Sequence, residues 1–294
     1  VIARGRPGPW EAIAGVEYVE ADIGGGVPPH VLAGCGAVIH CAAATSGGWD
    51  AHQRNSIDAT ENILRAAAAA GVQRIVHVSS LAVLEQTVSR LFEDGPLVAN
   101  ERGSGPYVWG KLISERQARA TADELGLDLT IARPGAIVDY GDFDPPGRLG
   151  KRLGNIFVAA GWPGSALGVV SLDRCAEVIC WLAASSGAPR IINLVDPVLP
   201  TRRELLAKLR ERNPDLSTIW LPPFVLHPLS WTAWLLQKVL RPRQPAMSVA
   251  KVFASPNIDT GQIQQLTARI AREPVSPPQS AVGPEPRGAR VGAL

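Results

Sequence analysis

The residues best placed to do chemistry in this chain are Tyr107 and Lys111, four apart in Tyr107-Val108-Trp109-Gly110-Lys111. On a helix, positions i and i+4 share a face, with Cβ atoms about 5–6 Å apart. An ammonium at that range stabilises a phenolate and lowers a tyrosine pKa by about one to three units. A tyrosine tuned in this way exchanges protons near neutral pH. Alone the pattern is common, and a solvated surface pair is the plainer reading. Whether the pair is a site depends on what the neighbouring elements bring beside it.

Those elements follow from hydrophobic pattern. Val1–Ala3 is a short apolar strand ended by the turn Arg4-Gly5-Arg6-Pro7-Gly8. Glu17–Asp22 alternates as a strand, and Ala37–Cys41, Arg74–Ser80 and Leu129–Arg133 read as buried strands. Asn55–Ala70 and Tyr107–Leu125 read as helices, closed by Gly71 and Gly126. Strand and helix alternate, which predicts an α/β fold with a doubly wound parallel sheet covered on both faces.

In such a sheet, ligands bind beyond the C-terminal ends of the strands. His40-Cys41-Ala42-Ala43 follows one strand, Ser79-Ser80 ends the next, and Arg133-Pro134-Gly135 ends the one after. The Tyr107 helix lies between the last two. A strand-end hydroxyl beside a tyrosine–lysine pair can polarise a carbonyl or an alcohol, so the set suits hydride transfer at a C–O centre.

The second half is smaller and mostly helical. Leu172–Ala184 is a helix, Ile191–Leu194 a strand, and Thr201–Arg212 a helix with Thr201 and Glu204 as a capping box. We divide the chain into an α/β region at 1–170, which the family resemblance given below implies to be dinucleotide-binding, a region at 171–273, which it implies to bind substrate, and a disordered Pro/Gly/Ser/Arg tail at 274–294. Trp220–Leu240 is apolar, with tryptophans at 220, 231 and 234 that read as core or lid.

Composition narrows the function classes. The chain has 294 residues, 46% hydrophobic and 19% charged, enough for a sizeable core. Its formal charge of +2 has no concentrated basic patch, which argues against a nucleic-acid partner. No apolar run is long enough to cross a bilayer. Cys35, Cys41, Cys175 and Cys180 show no CxxC spacing, and a reducing cytoplasm fits them. Cys41 and Cys180 read as small buried hydrophobes, His77 as structural, and no metal-ligand set is read. The partner called for is a small molecule; a homodimer is left open.

In these residues the chain resembles the extended short-chain dehydrogenase/reductases, the NAD-dependent epimerase/dehydratase superfamily, from Val1 to about Asn193. Ala21-Asp22-Ile23 resembles the acidic segment that contacts adenine. Val38–Ala43, with His40, Cys41 and Ala42, is similar to the strand that lines the cofactor. Asn55, with Thr60 and Asn62, matches an asparagine-headed helix; a helix cap is the rival reading. Val78-Ser79-Ser80-Leu81-Ala82-Val83 resembles the strand carrying the catalytic serine, which the alignment sets on Ser80. Tyr107 and Lys111 match the catalytic pair. Arg133-Pro134-Gly135 resembles the motif around the nicotinamide, which brings Pro134 and Gly135 to the cofactor. Asp173 resembles an acid at a helix start, for which capping is the simpler role.

The resemblance implies that Tyr107 exchanges a proton with the substrate oxygen and that Ser80 orients it. Lys111 tunes the tyrosine and bonds the nicotinamide ribose. The cofactor is NAD or NADP. Arg4 and Arg6, with no acid at the end of the first strand, favour NADP. The family's substrate of choice is a nucleotide-sugar. A hydrophobic sterol-like or flavonoid-like ketone is the alternative, and a dinucleotide sensor without turnover is a third reading. Arg148, Lys151 and Arg152 sit where diphosphate contacts could form.

One family element has no match. The strand and glycine-rich turn that hold the pyrophosphate are missing, because Gly24-Gly25-Gly26 follows the wrong strand and opens no helix. Val1–Ala3 fits the family's second strand. The expectation is a chain truncated at its N-terminus, or one read from a late start, with a gap where a central strand belongs.

Overall fold

The structure is a computed structural model, which describes residues 1–5, 13, 15–222, 224–225 and 256–274. Four strands form its central sheet: β3 (Ala37–His40), β4 (Arg74–Val78), β6 (Asp128–Pro134) and β11 (Ile191–Leu194). They are all parallel, in the order β3-β4-β6-β11. Successive residues of β4 face opposite layers. Ile75 packs with Leu64, Ala67 and Ala118 of α2 (Ala59–Ala69) and α3 (Pro106–Leu125). Val76 and Val78 pack with Val178, Leu182 and Leu266 of α4 (Leu172–Ala184) and α6 (Gly261–Arg272). Both faces are covered, which is why β4 is buried along its whole length.

A second, two-stranded parallel sheet is made by β1 (Ile2–Ala3) and β2 (Val19–Glu20). It shares no ladder with the central sheet, whose edge strand β3 leaves Ile39 40% exposed. The described strands thus form two separate sheets on this side of the molecule. The predicted strand Glu17–Asp22 is shorter than read, because only Val19 and Glu20 find a partner.

The Asn55–Ala70 helix starts earlier than read and is not uniform. It runs from α1 (Trp49–His52) through a six-residue π-helical stretch, Gln53–Asp58, into α2. Asn55 lies inside that stretch, so the helix-cap reading does not hold. Gly126 adopts φ 67° and ends α3, as the sequence implies. The capping box of Thr201 and Glu204 opens α5 (Arg202–Arg212) with both reciprocal bonds. At α4 the cap is Ser171, whose side chain accepts from Arg174 N, while Asp173 sits in the first turn. The connection read as long and polar also carries the short strand β5 (Arg90–Leu91), paired with Asn257–Ile258.

A smaller lobe packs α5 against β7 (Ala136–Val138), β9 (Ile156–Ala160) and β10 (Val169–Ser171) through Phe157, Val169 and Leu205. Trp220 is half-buried in a strand beside β9, whereas Arg6, Trp231, Trp234 and the tail lie outside the described residues.

Candidate active site

The α3 helix crosses the C-terminal ends of β4 and β6 and presents Tyr107, Lys111 and Glu115 at four-residue spacing. Pro106 at its first turn fixes the entry, and Gly105 at φ 89° makes the turn into it. Leu112 anchors the helix in a satellite core with Val83 and Val98. Tyr107 is 37% exposed at the surface, while Lys111 is only 7% exposed beneath it. Lys111 Nζ donates to the carbonyl of Val78 at 2.8 Å. Burial pushes its ammonium pKa down to about 8, with the nearby Cys41 thiol opposing the shift. A buried ammonium bonded to one carbonyl keeps two N–H donors free for another group.

Ser79 and Ser80 differ in what they are bound to. The Ser79 hydroxyl donates to Glu115 Oε2 at 2.7 Å. The Ser80 oxygen accepts from Ala82 N at 3.2 Å and caps the 3₁₀ turn Leu81–Val83. An oxygen that only accepts still has its own proton to place. Glu115 is fully buried and takes two bonds from Arg133, at 3.0 and 2.6 Å, and one from Arg119 at 2.9 Å. Burial by itself would raise the Glu115 carboxyl, but Arg133, with Ser79 and Arg119, outweighs it and holds the group below its usual range. The Arg133 guanidinium is therefore structural. Pro134 is buried in β6. A Cβ on Gly135 would lie 2.4 Å from Gly168 O, so that glycine serves a backbone crossing.

Beneath Lys111 lie two histidines. His40 and His77 are register partners on β3 and β4, with ring centroids 5.5 Å apart. Thr60 commits its hydroxyl proton to Ser56 O at 2.6 Å, so His40 Nε2 is the donor in the 3.0 Å bond to Thr60 Oγ1. Burial, and then the Lys111 charge, pushes the His40 pKa down to about 4. His77 is buried with both ring nitrogens unpartnered, and burial with the neighbouring His40 and Lys111 holds it well below the usual imidazole value. Both rings are neutral at neutral pH. Cys41 and Cys180 are exposed, against the reading of buried hydrophobes, and only Cys175 is buried. Cys41 is exposed because it follows the edge strand β3, which has no neighbour on that side.

The other predicted cofactor residues gather elsewhere. A cleft of about 240 Å³ is lined by Arg4, Asp22, Ile23, Ala42 and Asn55, with Ala3, Gly24 and Ala43. It opens between the two sheets. Asp22 holds Gly24 N at 3.2 Å and pairs with Arg54 at 2.6 Å. Arg4 donates to Asn55 Oδ1 at 3.4 Å. Small side chains and a carboxylate suit the adenosine end of a dinucleotide. Gly24-Gly25-Gly26 leads into no α-helix, because Ile23–Gly25 closes as a single 3₁₀ turn. The residues that line the cleft thus fit the adenosine end of a dinucleotide. His40, Cys41, Val78, Tyr107, Lys111, Pro134 and Gly135 do not line this cleft. Val78 contributes its carbonyl to Lys111.

The sequence reading missed Glu115 and His52. Glu115 carries the same four-residue spacing from Lys111 that joins Lys111 to Tyr107. His52 gives no local signal, because its contacts come from α3.

Comparison with known proteins agrees with this architecture. Residues 11–152 match the family described as NAD(P)H-binding. Cinnamoyl-CoA reductase 1 of Petunia hybrida is 30% identical over 111 residues, 34% of this chain and 32% of that protein's length. Among solved structures, an NAD-dependent NDP-hexosamine 5,6-dehydratase, TunA, superposes with a TM-score of 0.61 at 16% identity, over 85% of this chain and 76% of its own. MoeE5, solved with UDP-glucuronic acid and NAD, gives 0.63 at 19% identity, over 91% and 83%. The UDP-glucuronic acid 4-epimerase from Bacillus cereus, solved with NAD, gives 0.57 at 17% identity, over 85% and 81%. The NAD(P)H-binding match spans just under half of the chain, and the likeness to solved structures shows a Rossmann-like α/β fold with a parallel sheet.

Proposed function

We propose that this protein is an NAD(P)-dependent oxidoreductase of the epimerase/dehydratase kind, acting at a C–O centre of a nucleotide-sugar. The observation that carries the reading is the buried Lys111 ammonium, held on Val78 O and set four residues along one helix face from the exposed Tyr107. Tyr107 exchanges a proton with the substrate oxygen, with the Lys111 ammonium on the same helix face. Ser80 keeps its hydroxyl proton for the same oxygen, whereas Ser79 has given its proton to Glu115. Bound NAD(P) supplies the hydride acceptor or donor. Arg4 at the mouth of the cleft favours a 2′-phosphate and so NADP. Solved neighbours that hold UDP-sugars and NAD support the substrate class.

A second reading is a reductase of a hydrophobic carbonyl compound, favoured by the likeness to cinnamoyl-CoA reductase. One experiment separates them. The full chain is incubated with NAD or NADP and a panel of UDP- and dTDP-sugars, and with NADPH and aromatic carbonyl compounds, followed by chromatography with mass detection. Converted sugar, lost in Tyr107→Phe while dinucleotide binding remains, supports the first reading. Reduced carbonyl compound supports the second. Dinucleotide binding with no turnover across the panel supports a sensor instead.

A further inference from the structure

We infer that His52 is the residue that positions the Tyr107 ring. The inference rests on the proposed role of Tyr107 and adds a residue to that site. His52 ends α1, immediately before the π-helical stretch Gln53–Asp58. Such widened turns recur at functional sites because they re-aim the side chains around them. The His52 side chain is buried to 1% exposure, and its Nδ1 has no partner. A buried nitrogen without a partner costs free energy that an apolar ring of the same size would not.

The ring sits in a hollow that α3 makes for it. A Cβ on Gly110 would lie 2.7 Å from His52 Nδ1 and 3.0 Å from His52 Cβ, so no other residue at position 110 leaves the ring where it is. Gly110 is three residues on from Tyr107, and so its neighbour on the surface of the helix. From that seat His52 meets Tyr107 edge-on, with ring centroids 6.3 Å apart and planes at 83°. One turn earlier, Trp49 packs edge-on against Trp109 at 5.3 Å, so α1 lies along the start of α3 at two points. His52 is the wall that keeps an otherwise exposed phenol from swinging away from Lys111.

Full-length protein labelled with 3-fluorotyrosine tests this without any substrate. Tyr107→Phe identifies the Tyr107 fluorine signal among the three tyrosines. In His52→Ala that signal is expected to shift and broaden into more than one position, and His52→Phe is expected to restore a single one. Where turnover is measurable, His52→Ala is expected to lower kcat about tenfold or more, with KM for the dinucleotide unchanged, and Phe to recover most of it. His52→Leu, which leaves a smaller void, serves if the alanine variant does not fold. A Tyr107 signal unchanged in folded His52→Ala or His52→Leu overturns the inference. Failure of all three variants to fold overturns it too, since the role claimed is local to Tyr107. Failure of the substrate panel alone leaves the fluorine result standing, so the two ideas fail separately.

Discussion

Lys111 and Glu115 sit four residues apart on one face of α3, both buried, and the helix treats them in opposite ways. Glu115 takes four hydrogen bonds, from Ser79, Arg119 and twice from Arg133, and every one is charge-assisted or short. Lys111 has one carbonyl, with two neutral imidazoles packed in its neighbourhood and no carboxylate in contact. Salt bridging between them, at a spacing that permits it, does not occur; Glu115 is already taken by Arg133. Buried charge is costly unless it is paired. The Glu115 end meets that condition and is architecture. The Lys111 end leaves a buried cation with one carbonyl and no carboxylate, on the helix face that carries the exposed Tyr107, and this is the asymmetry on which the proposed function rests.

The comparison breaks first at the tyrosine. Tyr107→Phe is expected to cost turnover about 100-fold to 10,000-fold, as loss of a general acid/base does, with dinucleotide binding and melting temperature unchanged. A variant that remains active would make Tyr107 a surface residue and the unpaired lysine an accident.

Next comes the architectural end. Glu115→Ala leaves Arg133 buried without its carboxylate and is expected to cost about 3–5 kcal/mol, read as a lowered urea midpoint. Lys111→Met, which removes a charge already poorly satisfied, is expected to be near neutral or stabilising in the same assay while abolishing turnover. Equal destabilisation by the two would erase the distinction.

The histidines give a pH test. His40 has its folded pKa depressed to about 4, so between that value and its unfolded 6.5 the unfolded chain binds more protons than the folded one. Stability therefore falls as pH falls through this window, by about 3 kcal/mol for this group at 1.4 kcal/mol per unit. His77, lowered for the same first cause, acts in the same direction. Glu115, held below its usual range, adds its own loss only at more acid pH, as the folded group is protonated. Urea titrations from pH 7 to pH 4 read the histidine loss, and a flat profile would mean that the imidazoles are not buried as drawn.

Lys111 sets the alkaline side. With its ammonium pKa lowered to about 8, the charge beneath Tyr107 is lost as pH rises past that value. Log kcat/KM is expected to turn downward near pH 8, by about tenfold per unit beyond it. The smallest effect separates the serines. Ser79→Ala strips one bond from a buried carboxylate and is expected to cost about 1–3 kcal/mol of stability. Ser80→Ala is expected to lower turnover with little change in stability.

Much of this was legible in the chain. Alternating apolar runs and the glycines after Ala70 and Leu125 gave the strands, the helices and their ends, because periodicity and φ preference act within a few residues. The four-residue step from Tyr107 to Lys111 is a helical property and survived intact. The capping box at Thr201 did too. What spacing could not reach was pairing across the sheet. Arg133 looked like part of a ligand motif, and the fold spent it on Glu115. Cys41 looked buried by its neighbours in sequence, and an unpaired sheet edge exposes it. Asn55 left a cap and a cofactor-side residue as rival readings, and it lies inside a π-helical stretch that lines a cleft.

By itself, then, the sequence determined a parallel sheet covered on both faces, and the helix that carries Tyr107 and Lys111 at four-residue spacing. The tertiary structure alone decided which buried charge is satisfied and which is not. That choice depends on residues brought together over long stretches of chain, such as Arg133 to Glu115 and Lys111 to Val78. No local pattern encodes it, because the partner that neutralises a buried group arrives only when the layers close.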